Sequence, residues 1–187
     1  MFKYLKSALL VLWEVVKVAL VSLAIILPIR YFLVQPFYVK GASMEPNFYD
    51  HDYLLIDEIS FRFRAPDRGE VVVFRYPRDP SNYFIKRVVA LPNERVAIID
   101  EKLYISSPGG EQVEYNEPYL GEWVKTVGSL DVTLDENQYF VLGDNRNASL
   151  DSRSFGPIDQ SSIVGRVWVR AWPVDRWSVY ASEPIAP

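Results

Sequence analysis

The run from Gly143 to Gly156 reads Gly-Asp-Asn-Arg-Asn-Ala-Ser-Leu-Asp-Ser-Arg-Ser-Phe-Gly, and it twice sets an Asp two positions before an Arg, Asp144 with Arg146 and Asp151 with Arg153. Arginine can fork two N–H donors onto one carboxylate, so each half could pin a polar loop. If partly buried, such pairs contribute rigidity more than stability, because desolvation offsets attraction. The same residue types also build ordinary solvated turns. Two further stretches carry reactive side chains. Ser43 precedes Met44-Glu45-Pro46, where proline confines Glu45 to extended or turn conformations. Lys86 lies within Phe84-Ile85-Lys86-Arg87-Val88-Val89. Read as a strand, that segment puts Lys86 on one face with Phe84 and Val88, and Ile85, Arg87 and Val89 on the other. Amide hydrolysis needs a nucleophile, a base and donors for the oxyanion. A lysine is a base only when neutral, and burial among apolar groups lowers its pKa. Each feature has a plainer alternative: a turn serine, and a lysine that snorkels to solvent.

Composition narrows the chemistry. The 187 residues contain no cysteine, which excludes disulfides, a thiol nucleophile and a Cys-based zinc site. The single histidine, His51, excludes a poly-histidine metal centre; a Ser-His-Asp triad would have to use it, in a Tyr-Asp-His-Asp turn eight residues after Ser43. An exposed turn residue is the expected role of His51. No metal or organic cofactor is implied. The net charge of −4, with arginines scattered among acids, provides no basic field for nucleic acid.

Four boxes stand in order along the chain: Ser43-Met44-Glu45-Pro46, Gly69-Glu70-Val71-Val72-Val73-Phe74, Tyr83-Phe84-Ile85-Lys86-Arg87-Val88-Val89-Ala90-Leu91-Pro92 and the Gly143–Arg153 run. Together they resemble the bacterial type I signal peptidases, membrane-bound Ser/Lys proteases, and the resemblance extends from the N-terminal apolar segment to about Gly165. It implies Ser43 as nucleophile and Lys86 as general base, with Ser149 hydrogen-bonded to the lysine and Asp144, Arg146, Asp151 and Arg153 supporting the loop. Where some members carry a second serine for the oxyanion, this chain has Gly41, so the Ser43 backbone N–H would be the principal donor. Asn47-Phe48 stands where Thr-Leu is common. The resemblance assigns Phe37, Val39, Met44, Phe48, Phe84 and Ile85 to apolar subsites that accept small residues, giving cleavage after Ala-x-Ala through an acyl-enzyme. The implied partners are signal peptides of secreted preproteins, the lipid bilayer and the secretion translocon. A self-cleaving Ser/Lys protease of the repressor type would leave the apolar N-terminus and the Asp-x-Arg pairs unexplained. A membrane-tethered binding module would have no need of the Ser43 hydroxyl or of a neutral lysine.

These residues require elements to hold them. From Leu9 to Ile29 only Glu14, Lys17 and Ser22 interrupt an apolar run, which as a helix spans roughly 30 Å. A retained transmembrane helix over 8–29 is expected, with residues 1–7 cytoplasmic because Lys3 and Lys6 precede it, and residues 30–187 on the outer face of the cytoplasmic membrane. Glu14 and Lys17 share a helix face and can pair. The segment Tyr31 to Val39 is too aromatic for a free linker. Beyond it, β-branched and aromatic runs at Tyr53–Ile56, Val71–Phe74, Phe84–Ala90, Arg95–Ile99, Leu103–Ile105, Tyr139–Leu142 and Ile163–Ala171 predict a mainly β fold: antiparallel sheets in a sandwich or distorted barrel. Residues of about 100–137, with Pro108-Gly109-Gly110 and Pro118, are expected to form a small inserted cap. Trp168, Trp172 and Trp177 suit either core packing or the headgroup level of a membrane.

Overall fold

The computed structural model describes residues 2–28, 34–121 and 124–180. Helix α1 runs Phe2–Pro28. Its Lys17 ammonium donates to Glu14 at 2.7 Å, so the two charges neutralise each other on one face. Around them Leu10, Val11, Trp13 and Leu20 are exposed. Side chains of this helix are described at 10–24 and 26, and among the described residues no helix is long and apolar enough to cross a membrane. Ile29, Arg30 and the Tyr31–Leu33 part of the aromatic segment lie outside the described residues.

The remainder is β-structure, with strands β1 (Val34–Tyr38), β2 (Tyr53–Asp57), β3 (Val71–Tyr76), β4 (Asp79–Ala90), β5 (Arg95–Ile99) and β6 (Lys102–Ser106). After them come β7 (Val113–Glu114), β8 (Leu130–Thr133), β9 (Gln138–Leu142), the short helix α2 (Ser152–Phe155), β10 (Ile158–Asp159), β11 (Ile163–Trp172) and β12 (Ser178–Val179). All seven runs expected from β-branched and aromatic content are strands. The short strands β7, β8, β10 and β12 carry too few residues to show a period. β1 fell within the segment that its aromatic content marked as more than a linker.

Every ladder is antiparallel. The large sheet is ordered β1-β2-β11-β3-β4-β9-β10, with β12 on β11, and its end strands β1 and β10 do not meet, so it is an open sheet and not a closed barrel. The smaller sheet, β7-β6-β5-β8, begins at Arg95, ahead of the expected start of the insertion, because β5 pairs with β6 and β8 and not with the large sheet.

Alternation along β3 shows how the large sheet is buried on both faces. Val71 and Val73 pack with Met44, Phe48, Leu54, Ile56 and Val167, whereas Val72 and Phe74 pack with Val88, Tyr139, Val141 and Ile158. A third cluster, including Val89, Phe140 and Leu142 with Ile98 and Leu103, joins the small sheet to β4 and β9. Burial of each such side chain contributes roughly 1.5–3 kcal/mol. β4 is therefore central, paired to β3 through Val72 and Lys86 and to β9 through Arg87 and Leu142. β9 then leads directly into the Gly143 loop.

Candidate active site

The loop between β1 and β2 presents Ser43. It is closed by local turns in which Glu45 N–H donates to Ala42 O at 3.2 Å and Phe48 N–H to Met44 O at 2.9 Å. Met44 and Phe48 are fully buried and plug the loop into the core. They were expected in the substrate subsites; instead they face the sheet interior, because the turn that exposes Ser43 points its neighbours inward. Gly41 sits at φ +88°, where a side chain is strained, and its N–H donates to Asp50 Oδ1 at 2.8 Å. That N–H is consequently engaged by the Asp50 carboxylate, so Gly41, grouped with the Ser43 N–H at the expected oxyanion site, offers no unoccupied donor here. Among the described residues, no hydrogen bond takes up the Ser43 N–H.

Lys86 enters from β4. Its Nζ lies 2.8 Å from Ser43 Oγ and 2.8 Å from Ile85 O, and 5.3 Å from the centre of the Phe84 ring. The side chain does not snorkel: the residue is 4 % exposed. Burial pulls its pKa down to about 8, against an opposing upward pull from Asp151 and Asp144. A cleft of about 450 Å³ opens over this pair, lined by Phe37, Val39, Leu54, Val73, Phe84 and Ile85 among others, with Gly41, Ala42, Ser43 and Lys86 along it. Leu54, Val73, Ala148 and Leu150 were not singled out in the sequence; for Leu54 and Val73 the inward positions of their strands were the available signal. A hollow of about 620 Å³ elsewhere is lined by Phe61, Asn137, Asp159, Ser161 and Ile163, among which no lysine stands beside the serine. His51 is exposed, its Nδ1 2.8 Å from Asp50 Oδ2, and does not line the cleft. Among the described residues no group of acids or histidine could hold a metal ion.

The supporting loop is wired differently from its spacing. Asp151 and Arg153 do pair, through Nε at 2.8 Å and NH2 at 2.8 Å, and Asp151 also accepts the Gly143 N–H at 3.1 Å and caps α2. Burial pushes the Asp151 carboxyl up, but Arg153, the Ser149 hydroxyl and Gly143 N–H together hold it below the usual carboxylate range. Asp144, by contrast, takes no side-chain bond from Arg146. It receives Arg87 Nε at 2.9 Å and NH2 at 2.6 Å, and Asn47 Nδ2 at 2.8 Å. Arg146 instead reaches Glu117 and Thr126 in the small-sheet segment, its NH1 2.6 Å from Glu117 Oε2. Ser149 Oγ faces Gly143 and Asp151 and does not bond Lys86; although it lies close enough to bear on the Asp151 charge, it completes no hydrogen bond of ordinary geometry among the described residues. Asn145, which sequence reasoning passed over, donates its N–H to Ser43 O and Nδ2 to Ala42 O, both at 3.1 Å.

Comparison with known proteins shows the family. The family model described as "Signal peptidase, peptidase S26" matches residues 12–172. The chain belongs to that family. It is 35% identical over 169 residues to "Probable signal peptidase I-2" of Synechocystis sp., covering 87% of this chain and 74% of that one. To "Signal peptidase I" of Leptolyngbya laminosa it is 35% identical over 180 residues, 92% of this chain and 86% of the other. A crystal structure of a signal peptidase I from Enterococcus faecalis V583 aligns with a TM-score of 0.47 and 31% identity, over 56% of this chain and 97% of that one. As a member of the signal peptidase I family, the chain is a serine endopeptidase of signal peptide processing.

Proposed function

We propose that this chain is a membrane-anchored signal peptidase that uses Ser43 as nucleophile and Lys86 as general base to cut preproteins after Ala-x-Ala. One observation carries the reading: a lysine 4 % exposed, with its Nζ 2.8 Å from a serine hydroxyl that lines an apolar cleft. Neutral Lys86 takes the proton as Ser43 Oγ adds to the scissile carbonyl, and the Ser43 N–H receives the developing oxyanion. Collapse expels the amine, to which the Lys86 ammonium returns the proton. The same lysine then deprotonates water to release the acyl group. Phe37, Val39, Leu54, Val73 and Ile85 leave room for small apolar residues ahead of the cut.

Anchorage rests on the apolar, unpartnered side chains of α1, which extends over about 40 Å at 1.5 Å per residue, with Lys3 and Lys6 at its N-terminal end. Trp168, Trp172 and Trp177 are exposed on or beside β11, in keeping with contact at the headgroup level. The catalytic part then faces outward. Detergent-solubilised protein should cleave a preprotein after alanine, as read by sequencing the new N-terminus, and Ser43→Ala and Lys86→Ala should each abolish cleavage. Cleavage surviving Lys86→Ala would reject the assigned base.

A further inference from the structure

We infer that Asn145 is a positioning residue that aims the oxyanion donor, an inference that rests on the Ser43/Lys86 reading. The carbonyl of Ala42 and the N–H of Ser43 belong to one peptide unit. That unit is trans, since the cis bonds among the described residues are Glu45–Pro46 and Trp172–Pro173. In a trans peptide the C=O and N–H vectors point in opposite directions within one rigid plane. Holding the carbonyl therefore aims the N–H.

Asn145 holds that carbonyl through Nδ2 at 3.1 Å, and a second bond of 3.1 Å from its own N–H secures Ser43 O, one peptide further on. Ala42 and Ser43 line the cleft, whereas Asn145 does not. The amide thus grips the loop from behind, and the Ser43 N–H is directed away from it, toward the cleft. No hydrogen bond claims that N–H among the described residues, so it is available to a developing negative charge. This chain depends on it more than a chain with a serine at position 41 would, because Gly41 brings no hydroxyl and its own N–H is held by Asp50. A donor fixed before reaction needs no reorganisation during it, which is the source of its catalytic value.

The two bonds also separate by experiment. A side-chain substitution leaves the Asn145 N–H bond to Ser43 O and the Glu45 N–H bond to Ala42 O in place, so the turn is kept while the Ala42–Ser43 plane loses one of its two holds. The probes are a peptide aldehyde ending in Ala-x-alaninal and the matching peptide alcohol. Ser43 Oγ adds to the aldehyde carbon, the hydroxyl proton passes to Lys86, and the carbonyl electron pair becomes the oxyanion; the alcohol forms no adduct and reports ground-state binding only.

With full-length protein in detergent, Asn145→Ala should lower kcat by about 10- to 100-fold, less than deletion of a donor outright. KM should stay within about twofold. Aldehyde affinity should fall in step with kcat, alcohol affinity should hold, and the acidic limb of the pH–rate profile should stay where Lys86 sets it. Asn145→Gln, which keeps an amide donor on a longer arm, should recover part of the loss, and it reads the proposal if Asn145→Ala does not fold. Unchanged kcat in both variants, equal loss for aldehyde and alcohol, or a displaced limb would overturn the assignment of Asn145. Full cleavage by Ser43→Ala, or no aldehyde adduct on wild type, would instead remove the Ser43/Lys86 reading and the inference with it.

Discussion

At the residue scale, Lys86, the base of the proposed mechanism, is poorly solvated. The burial that would keep it neutral also lowers stability, and the sign follows from linkage. The folded pKa of Lys86 is about 8, below the ordinary 10.5, so between these values the unfolded chain binds more protons than the folded one. Stability contributed by this group therefore rises as pH increases from about 8 to 10.5, and below 8 its full cost, about 3 kcal/mol, is present. Lys86→Met, close in volume and free of charge, should abolish cleavage yet raise the melting temperature at neutral pH, with the advantage shrinking above pH 8. Thermal melts across roughly pH 6 to 10 would read it. Activity depends on the same ionisation. The log of kcat/KM should climb with pH and level off near the lysine's pKa of about 8.

At the scale of elements, the site is made where three segments abut: the Ser43 loop, β4 and the loop after β9. Gly143 marks how closely two of them approach. A Cβ there would come within 2.1 Å of Ser149 Oγ and 2.5 Å of Ser43 O, and the latter is backbone that cannot swing aside. Gly143→Ala should push the Ser43 loop away from β4 and lower kcat by about 100-fold, the cost of misplacing a reacting group by about 1 Å. Single-turnover cleavage would measure it; near wild-type turnover would show that the loops are not held in this contact. β-branched and aromatic content was enough to locate β4, and alternation put Lys86 on one face with Phe84 and Val88, because both are local properties; alternation left open whether that lysine turned inward or snorkelled to solvent. It could not show that Met44 and Phe48 belong to the core. The turn from Ser43 to Phe48 has no period, and which way its side chains face is decided by the sheet it lands on.

At the scale of the whole molecule, the two sheets are joined by ion pairs as well as by apolar packing. Arg146, buried in the loop after β9, reaches across to Glu117 and Thr126, and the Arg87 guanidinium lies 4.0 Å from the centre of the Tyr119 ring while gripping Asp144. Glu117→Ala would leave the Arg146 charge buried without its carboxylate, a loss of roughly 3 kcal/mol or more. Its melting temperature should fall, and cleavage at low temperature should survive, since Glu117 touches neither Ser43 nor Lys86. A melt indistinguishable from wild type would mean that this pair contributes nothing to joining the sheets.

What the sequence determined by itself was chemical identity and local period. Composition removed cysteine and left one histidine in a turn, the family resemblance of the boxes implied a Ser/Lys pair, and β-branched and aromatic runs sufficed for seven strands. Tertiary structure decided the partners. Asp144 stands two residues from Arg146 yet bonds Arg87, 57 positions away, because β4 and β9 are neighbours in the sheet and the guanidinium arrives already aimed at the carboxylate. Freed from Asp144, Arg146 turns to the small sheet, and Asn145 between them meets the Ala42 carbonyl from 103 positions away. Spacing along a chain reports only which groups can reach each other; which of them meet depends on the strands that carry them, and strand pairing is a long-range choice.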